Sequence, residues 1–170
     1  LGVNVIAGSD ATHDLIDLSG TELVNIARID TAAGNDTVIG SAGNDTIMGG
    51  AGSDVLSGGA GNDTFLVSGD SGMDRYSGDA GYDLIQGGNG DDTIRSSNFS
   101  GTATVEKIDG GLGTNVIAGS DGTHDLLDFS GTELVNIARI DAGAGNDTIK
   151  GSAGNDMIVG GTGNDLLAGG

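Results

Sequence analysis

Ten aspartates recur in this chain at a fixed place in a nine-residue unit: Asp36, Asp45, Asp54, Asp63, Asp74, Asp83, Asp92, Asp147, Asp156 and Asp165. Each is the sixth residue of its unit, two places after a glycine and two before a large apolar residue. Residues 58–66, G-G-A-G-N-D-T-F-L, form one complete unit. A carboxylate at the end of a glycine-rich turn is a set of hard oxygen donors. Glycine reaches positive φ and lets carbonyl groups approach one another without a Cβ in the way. Asparagine, which fills the fifth place at Asn35, Asn44, Asn62, Asn146, Asn155 and Asn164, also tolerates left-handed backbone. Calcium takes six to eight such oxygens at about 2.3–2.6 Å, and one turn offers about three, so one ion needs two turns. Aspartates that merely cap turns would not keep a constant offset to an apolar residue through ten units.

The units in register are 31–39, 40–48, 49–57, 58–66, 69–77, 78–86, 87–95, 142–150, 151–159 and 160–168, with Val67 and Ser68 interrupting once. Three residues follow each turn, enough for a minimal strand whose middle side chain faces inward. Val38, Ile47, Leu56, Phe65, Tyr76, Ile85, Ile94, Ile149, Ile158 and Leu167 hold that place. Two units complete a coil of 18 residues, so turns stack on each side with alternate units. Asp36 then lies beside Asp54, Asp54 beside Asp74 and Asp74 beside Asp92. On the other side Asp45 lies beside Asp63 and Asp63 beside Asp83, and Asp147 pairs with Asp165 further on. Calcium is expected between stacked pairs. The expected fold is all-β: a right-handed parallel β-roll, a β-solenoid of two facing sheets without substantial helix. The handedness follows the parallel crossover preference.

Composition agrees with many thin layers rather than one large core. The 170 residues include 35 glycines, no proline and 3% aromatics, and 25 Asp and Glu face only 6 Lys and Arg, for a net charge of −19. That charge excludes nucleic acid, which needs a basic footprint, and anionic membrane surfaces. No apolar run approaches membrane-spanning length, so no membrane insertion is expected. There is no cysteine, hence no disulfide.

A longer period overlies the short one. Residues 1–59 return as 112–170 with roughly three-quarters identity. The whole chain, 1–170, reads as one repeat solenoid with degenerate coils at 1–30, a calcium block at 31–95, degenerate coils at 96–141 and a second calcium block at 142–170. Both ends fall within a unit, which predicts a piece of a longer array. In the degenerate coils Leu23, Ile26 and Ala27 have helical spacing, whereas Val24, Ile26 and Ile29 are β-branched; short strands that continue the stack are expected. Asn4 and Asn115 stand where an aspartate would, and Asp14 and Asp125 follow Thr-His instead of Gly-x. These four are not expected ligands. His13 and His124 are the only histidines, and no serine, cysteine or further histidine completes a catalytic group around them, so no enzyme is expected. Glu22, Glu106 and Glu133 are expected to be solvated or paired with Arg28, Lys107 and Arg139. Tyr76, Tyr82, Phe65 and Phe99 are too few for an aromatic sugar platform.

The unit resembles the calcium-binding nonapeptide repeat of RTX (repeats-in-toxin) proteins, most closely at 31–95 and 142–170. The resemblance implies Ca2+ held by aspartates and glycine-turn carbonyls of two successive stacked turns. Carried onto this chain, the ten aspartates are the side-chain ligands, and carbonyls near Gly34, Gly43, Gly52, Gly61, Gly81 and Gly90 are their partners. It also implies a structural module of a secreted toxin, adhesin or enzyme, exported by a type I system and folding outside the cell. Its partners would be calcium ions and neighbouring repeats of the parent chain. The alternative expectation is a calcium-dependent polysaccharide- or ice-binding module of an adhesin or alginate epimerase-like protein, with a glycan or cell-surface partner. Alanine at the third place (Ala33, Ala42, Ala51, Ala60) leaves an outward polar rank incomplete.

Overall fold

Three residues between glycine turns leave room for one short strand per side, and most strands here are three residues long. The computed structural model describes residues 3–10, 12–67, 72–100 and 104–170, and the regular structure within them is entirely strand. Every strand pairing is parallel, as a solenoid requires. Sheet I has seven strands in the order Val5–Ala7, Arg28–Asp30, Thr46–Met48, Thr64–Leu66, Leu84–Gln86, Lys107–Asp109 and Glu133–Val135. Sheet II stacks Leu15–Asp17, Thr37–Ile39, Val55–Ala60 and Arg75–Ala80.

Register follows the inward residues. Ile29 lies opposite Ile47, Ile47 opposite Phe65 and Phe65 opposite Ile85 in sheet I. Val38 lies opposite Leu56, and Leu56 opposite Tyr76, in sheet II. These side chains are buried, and each full burial of this kind contributes about 1.5–3 kcal/mol. The rings of Phe65 and Tyr76 meet edge to face at 5.5 Å. The interruption at Val67 is absorbed without loss of register, because Thr64 still pairs with Leu84; Ser68 lies outside the described residues. Ile158 is only partly buried and Leu167 is 46% exposed. Both lie in the last strands of their sheets, with no coil beyond them among the described residues.

The two-faced expectation holds for the first calcium block and then changes. From Ile85 to Ile108, and from Ile94 to Ile117, the coil lengthens to 23 residues. The extra residues form a third side. Sheet III stacks Thr93–Arg95, Asn115–Ala118, Ile137–Asp141 and Ile158–Val159, and sheet IV stacks Asn98–Phe99, Leu126–Asp128, Thr148–Lys150 and Leu166–Ala168. Between Leu84 and Val135 the chain visits sheets I, III and IV in turn. Phe99 and Phe129 fill the wider interior, stacked at 4.8 Å. Sheet I then ends, and sheets III and IV alone carry the second block.

One segment of the long repeat is seen in two settings. Thr-Glu-Leu-Val-Asn-Ile-Ala-Arg-Ile-Asp occurs at 21–30 and 132–141. In the second copy Glu133–Val135 is a strand, because Lys107–Asp109 lies beside it. In the first copy the equivalent place for a pairing strand falls before the first residue of the sequence, and residues 22–24 form no strand; Leu23, like Leu134, packs against the core. The helical spacing was coincidental.

Ala32 has φ 69°, in the left-handed region, where its counterpart in the second copy is Gly143 at φ 89°. Left-handed backbone costs an L-residue about 1–2 kcal/mol, and glycine gives back about 0.5–1 kcal/mol through its freer unfolded chain. Ala32→Gly is expected to stabilise the calcium-loaded protein by about 0.5–1 kcal/mol and Gly143→Ala to destabilise it by a similar amount. Urea denaturation in saturating calcium reads both; equal effects of the same sign would contradict the assignment of strain.

Candidate metal centre

The aspartates stand in columns and divide the work of their two carboxylate oxygens. Oδ1 accepts the backbone N–H of the aspartate one coil earlier. Asp54 accepts from Asp36 at 2.8 Å, Asp74 from Asp54 at 2.9 Å, Asp63 from Asp45 at 2.8 Å, Asp83 from Asp63 at 2.7 Å and Asp165 from Asp147 at 3.0 Å. Oδ2 points into the turn. In Asp36, Asp63, Asp83 and Asp147, each no more than 1% exposed, that atom is buried with no hydrogen-bond donor. A buried charged oxygen without a partner is strongly disfavoured, and a cation is the partner that the turn can admit.

The glycines keep that space open. At Gly40 the place of the missing Cβ is approached by Asp45 Oδ2 and by the carbonyl oxygen of Gly58 in the next coil. The same convergence occurs at Gly87, from Asp92 and Gly110, and at Gly151, from Asp156 and Gly169. These first-place carbonyls are donors that the periodicity did not single out. The fourth-place carbonyls of Gly34, Gly43, Gly52, Gly61 and Gly90 each abut the fourth-place glycine of the following coil. At Gly52 (φ 131°) and Gly81 (φ 148°) a side chain would strike the carbonyl beneath as well as strain the backbone. Among the described residues no three His, Asp or Glu side chains gather at one point. The side chains thus supply two carboxylates per stacked pair, and further ligands would have to be backbone oxygens. That donor set, all hard oxygen, fits calcium.

The degenerate turns satisfy themselves. Asp14 Oδ2 accepts the Ser9 N–H at 2.6 Å, and Asp125 Oδ2 accepts the Ser120 N–H at 2.6 Å. Ser9 with Thr12, and Ser120 with Thr123, bring hydroxyls to the same carboxylates. The Asn4 and Asn115 amides donate to the Asn25 and Asn136 carbonyls at 3.0 Å, a direct link between coils.

The histidines have a structural task. His13 Nδ1 accepts the Asn35 N–H at 2.9 Å, and His124 Nδ1 accepts the Asn146 N–H at 3.0 Å. Asn35, Asn44, Asn62 and Asn146 do the same through Oδ1 for Ser53, Asn62, Tyr82 and Asn164. The fifth place is a lateral ladder of acceptors, and none of these asparagines has positive φ. Tolerance of left-handed backbone was the wrong reason for them. The signal was the shared chemistry: Asn Oδ1 and His Nδ1 are acceptors the same number of bonds from Cα.

Three further expectations change. Asp74 and Asp92 are not column neighbours: the Asp74 N–H donates to the Arg95 carbonyl at 3.1 Å, and the Asp92 N–H to Asn115 Oδ1 at 2.9 Å. The chain has by then turned onto sheet III, so Asp92 starts a new column. Second, Oδ2 is provided for in some aspartates: in Asp45 by the Ser41 N–H at 2.6 Å, in Asp74 by the Tyr76 hydroxyl at 3.0 Å and in Asp92 by the Gly88 N–H at 2.5 Å. Asp156 accepts from the Ser152 hydroxyl at 3.0 Å. Third, Arg28, Lys107 and Arg139 pair with Asp30, Asp109 and Asp141, two residues along the same strand face, not with glutamates.

Burial pushes the Asp63 carboxyl up to about 6, with the charges of Asp83, Asp45 and Asp79 adding to it and the Asp45 N–H opposing it. Burial also raises Asp83, helped by Glu106. Between the ordinary carboxylate range and about 6, the folded metal-free chain therefore binds more protons than the unfolded chain, so its stability rises as pH falls. Metal-free protein is expected to gain β signal in far-ultraviolet circular dichroism between pH 7 and pH 5. A signal that falls over this range would contradict the raised carboxyls.

No curated protein and no solved structure matches the chain. A family model does: the RTX calcium-binding nonapeptide repeat (4 copies) matches residues 30–65, 68–102 and 138–170, more than half of the length. Those stretches carry the aspartate columns and the open glycine turns described above, and the chain belongs to the family of RTX calcium-binding repeats.

Proposed function

We propose that this calcium-binding module is a structural element that folds when calcium fills its stacked turns, outside the cell, as part of a secreted RTX protein. In this reading Asp36/Asp54, Asp54/Asp74, Asp45/Asp63, Asp63/Asp83 and Asp147/Asp165 each hold one ion with carbonyls of the two turns. Asp92 and Asp156 contribute more weakly. The blocks at 31–95 and 142–170 take the metal, while 1–30 and 96–141 hold their coils together by hydroxyl and amide contacts. The observation that carries the reading is the buried, undonated Oδ2 of Asp36, Asp63, Asp83 and Asp147.

Bound calcium supplies positive charge where the carboxylates gather. The chain's own part is to hold Oδ1 fixed through the neighbouring N–H, to aim Oδ2 inward and to keep the turn open with glycine. The family is a structural calcium-binding repeat and not an enzyme family. RTX repeat domains typically belong to secreted proteins, and calcium outside the cell would make folding follow export through a type I system. Far-ultraviolet circular dichroism through a calcium titration tests the folding claim. A full β spectrum in excess chelator at neutral pH would sink it.

A further inference from the structure

Glu106 stands where the repeat has lapsed, yet it continues an aspartate column. The Asp83 N–H donates to Glu106 Oε2 at 2.7 Å, just as the Asp45 and Asp63 N–H groups donate to Asp63 and Asp83. The longer side chain compensates for a contracted turn. Lys107 pairs with Leu84 across sheet I, so Glu106 follows Asp83 by the same 23 residues. The first-place role, however, falls to Thr104, only two residues before Glu106. Its carbonyl oxygen and Asp83 Oδ2 together approach the place of the missing Cβ of Gly78. This is the same convergence that Gly58 and Asp45 make at Gly40. Thr104 adopts φ 51°, a costly conformation for a β-branched residue, and its hydroxyl accepts the Asp79 N–H at 2.6 Å. Asp83 is fully buried and its Oδ2 has no hydrogen-bond donor.

We propose that Asp83 Oδ2, the Glu106 carboxylate and the Thr104 carbonyl form a further calcium site, closing the Asp45–Asp63–Asp83 column where the two-faced roll becomes three-sided. The inference rests on the calcium reading of the stacked turns and extends it to a glutamate outside the nonapeptide pattern. The site differs from its neighbours in having a partly buried ligand on one side, so exchange with solvent should be faster there than between Asp45 and Asp63.

Equilibrium dialysis against radioactive calcium tests it on the full chain, comparing wild type with Glu106→Gln. The amide oxygen preserves the acceptor for the Asp83 N–H and removes the charge. The expected result is one ion fewer per chain, with the affinity of the remaining ions changed less than about twofold. In parallel, the carboxyl carbon of Glu106 is followed by 13C NMR in wild type as calcium is added, and its resonance is expected to shift with the bound ions. An unshifted Glu106 resonance at saturating calcium overturns the site even if the variant fails to fold. An unchanged ion count in a folded variant also overturns it, while leaving the other sites intact. Wild type that binds no calcium at all defeats the broader reading and this one together.

Discussion

In excess chelator at neutral pH the chain is expected to show no parallel-β spectrum, and to gain one cooperatively as calcium rises into the millimolar range. The charge makes this the largest effect to look for. Neighbouring strands are about 4.8 Å apart, so each column brings carboxylates to within that order of distance, in a chain of net charge −19. The core that opposes this repulsion is one apolar residue per strand. Extracellular calcium sites typically have Kd of about 10⁻⁴–10⁻³ M. At ten times Kd a site adds about 1.4 kcal/mol, so five stacked pairs add about 7 kcal/mol, comparable to the stability of a whole domain. Binding free energy is then folding free energy. Magnesium is expected to replace calcium poorly, because it demands a smaller and stricter octahedron. Circular dichroism titrations with each ion measure both statements, and equal midpoints for the two metals would contradict the second.

Asp54→Asn is expected to raise the calcium midpoint about fivefold, whereas Asp156→Asn leaves it nearly unchanged. Asp54 belongs to two stacked pairs, with Asp36 and Asp74. Asparagine keeps the Oδ1 acceptor, so the loss is mainly of charge toward the ion. If five sites at ten times Kd just balance the unfolded state, three sites must each supply about 2.3 kcal/mol, which needs about fifty times Kd. Removing one negative charge eases the metal-free repulsion and trims this shift. Asp156 makes no stacked aspartate pair among the described residues. Its carboxylate rests on the Ser152 hydroxyl. Midpoints that move equally in the two variants would defeat the shared-ligand role of Asp54.

The period of nine carries the strands, the inward residues and all the aspartate pairs within the first roll, because each follows from a fixed offset to glycine. What it does not carry is lateral choice. The third side at 93–141 accompanies a 23-residue coil from Ile85 to Ile108, a length that the period of nine does not set. Asp92 keeps the motif perfectly and still leaves the column of Asp74, since the column depends on which sheet the chain has just joined. Glu106 is the opposite case: it breaks the motif and keeps the column.

The exchange of sheets also limits what the outside of the molecule can match. Ile29 lies on sheet I, but its counterpart one long repeat later, Ile140, lies on sheet III. The outer surfaces of these two counterpart strands therefore belong to different sheets. Among the described residues the tallest single sheet is the seven-stranded sheet I, about 30 Å high at strand spacing. A stiff, ordered lattice such as ice or a crystalline fibre would keep register along one such sheet and lose it where the chain changes sheets. A supple chain wound around the shaft, or a neighbour that grips it from several sides, would not meet this restriction.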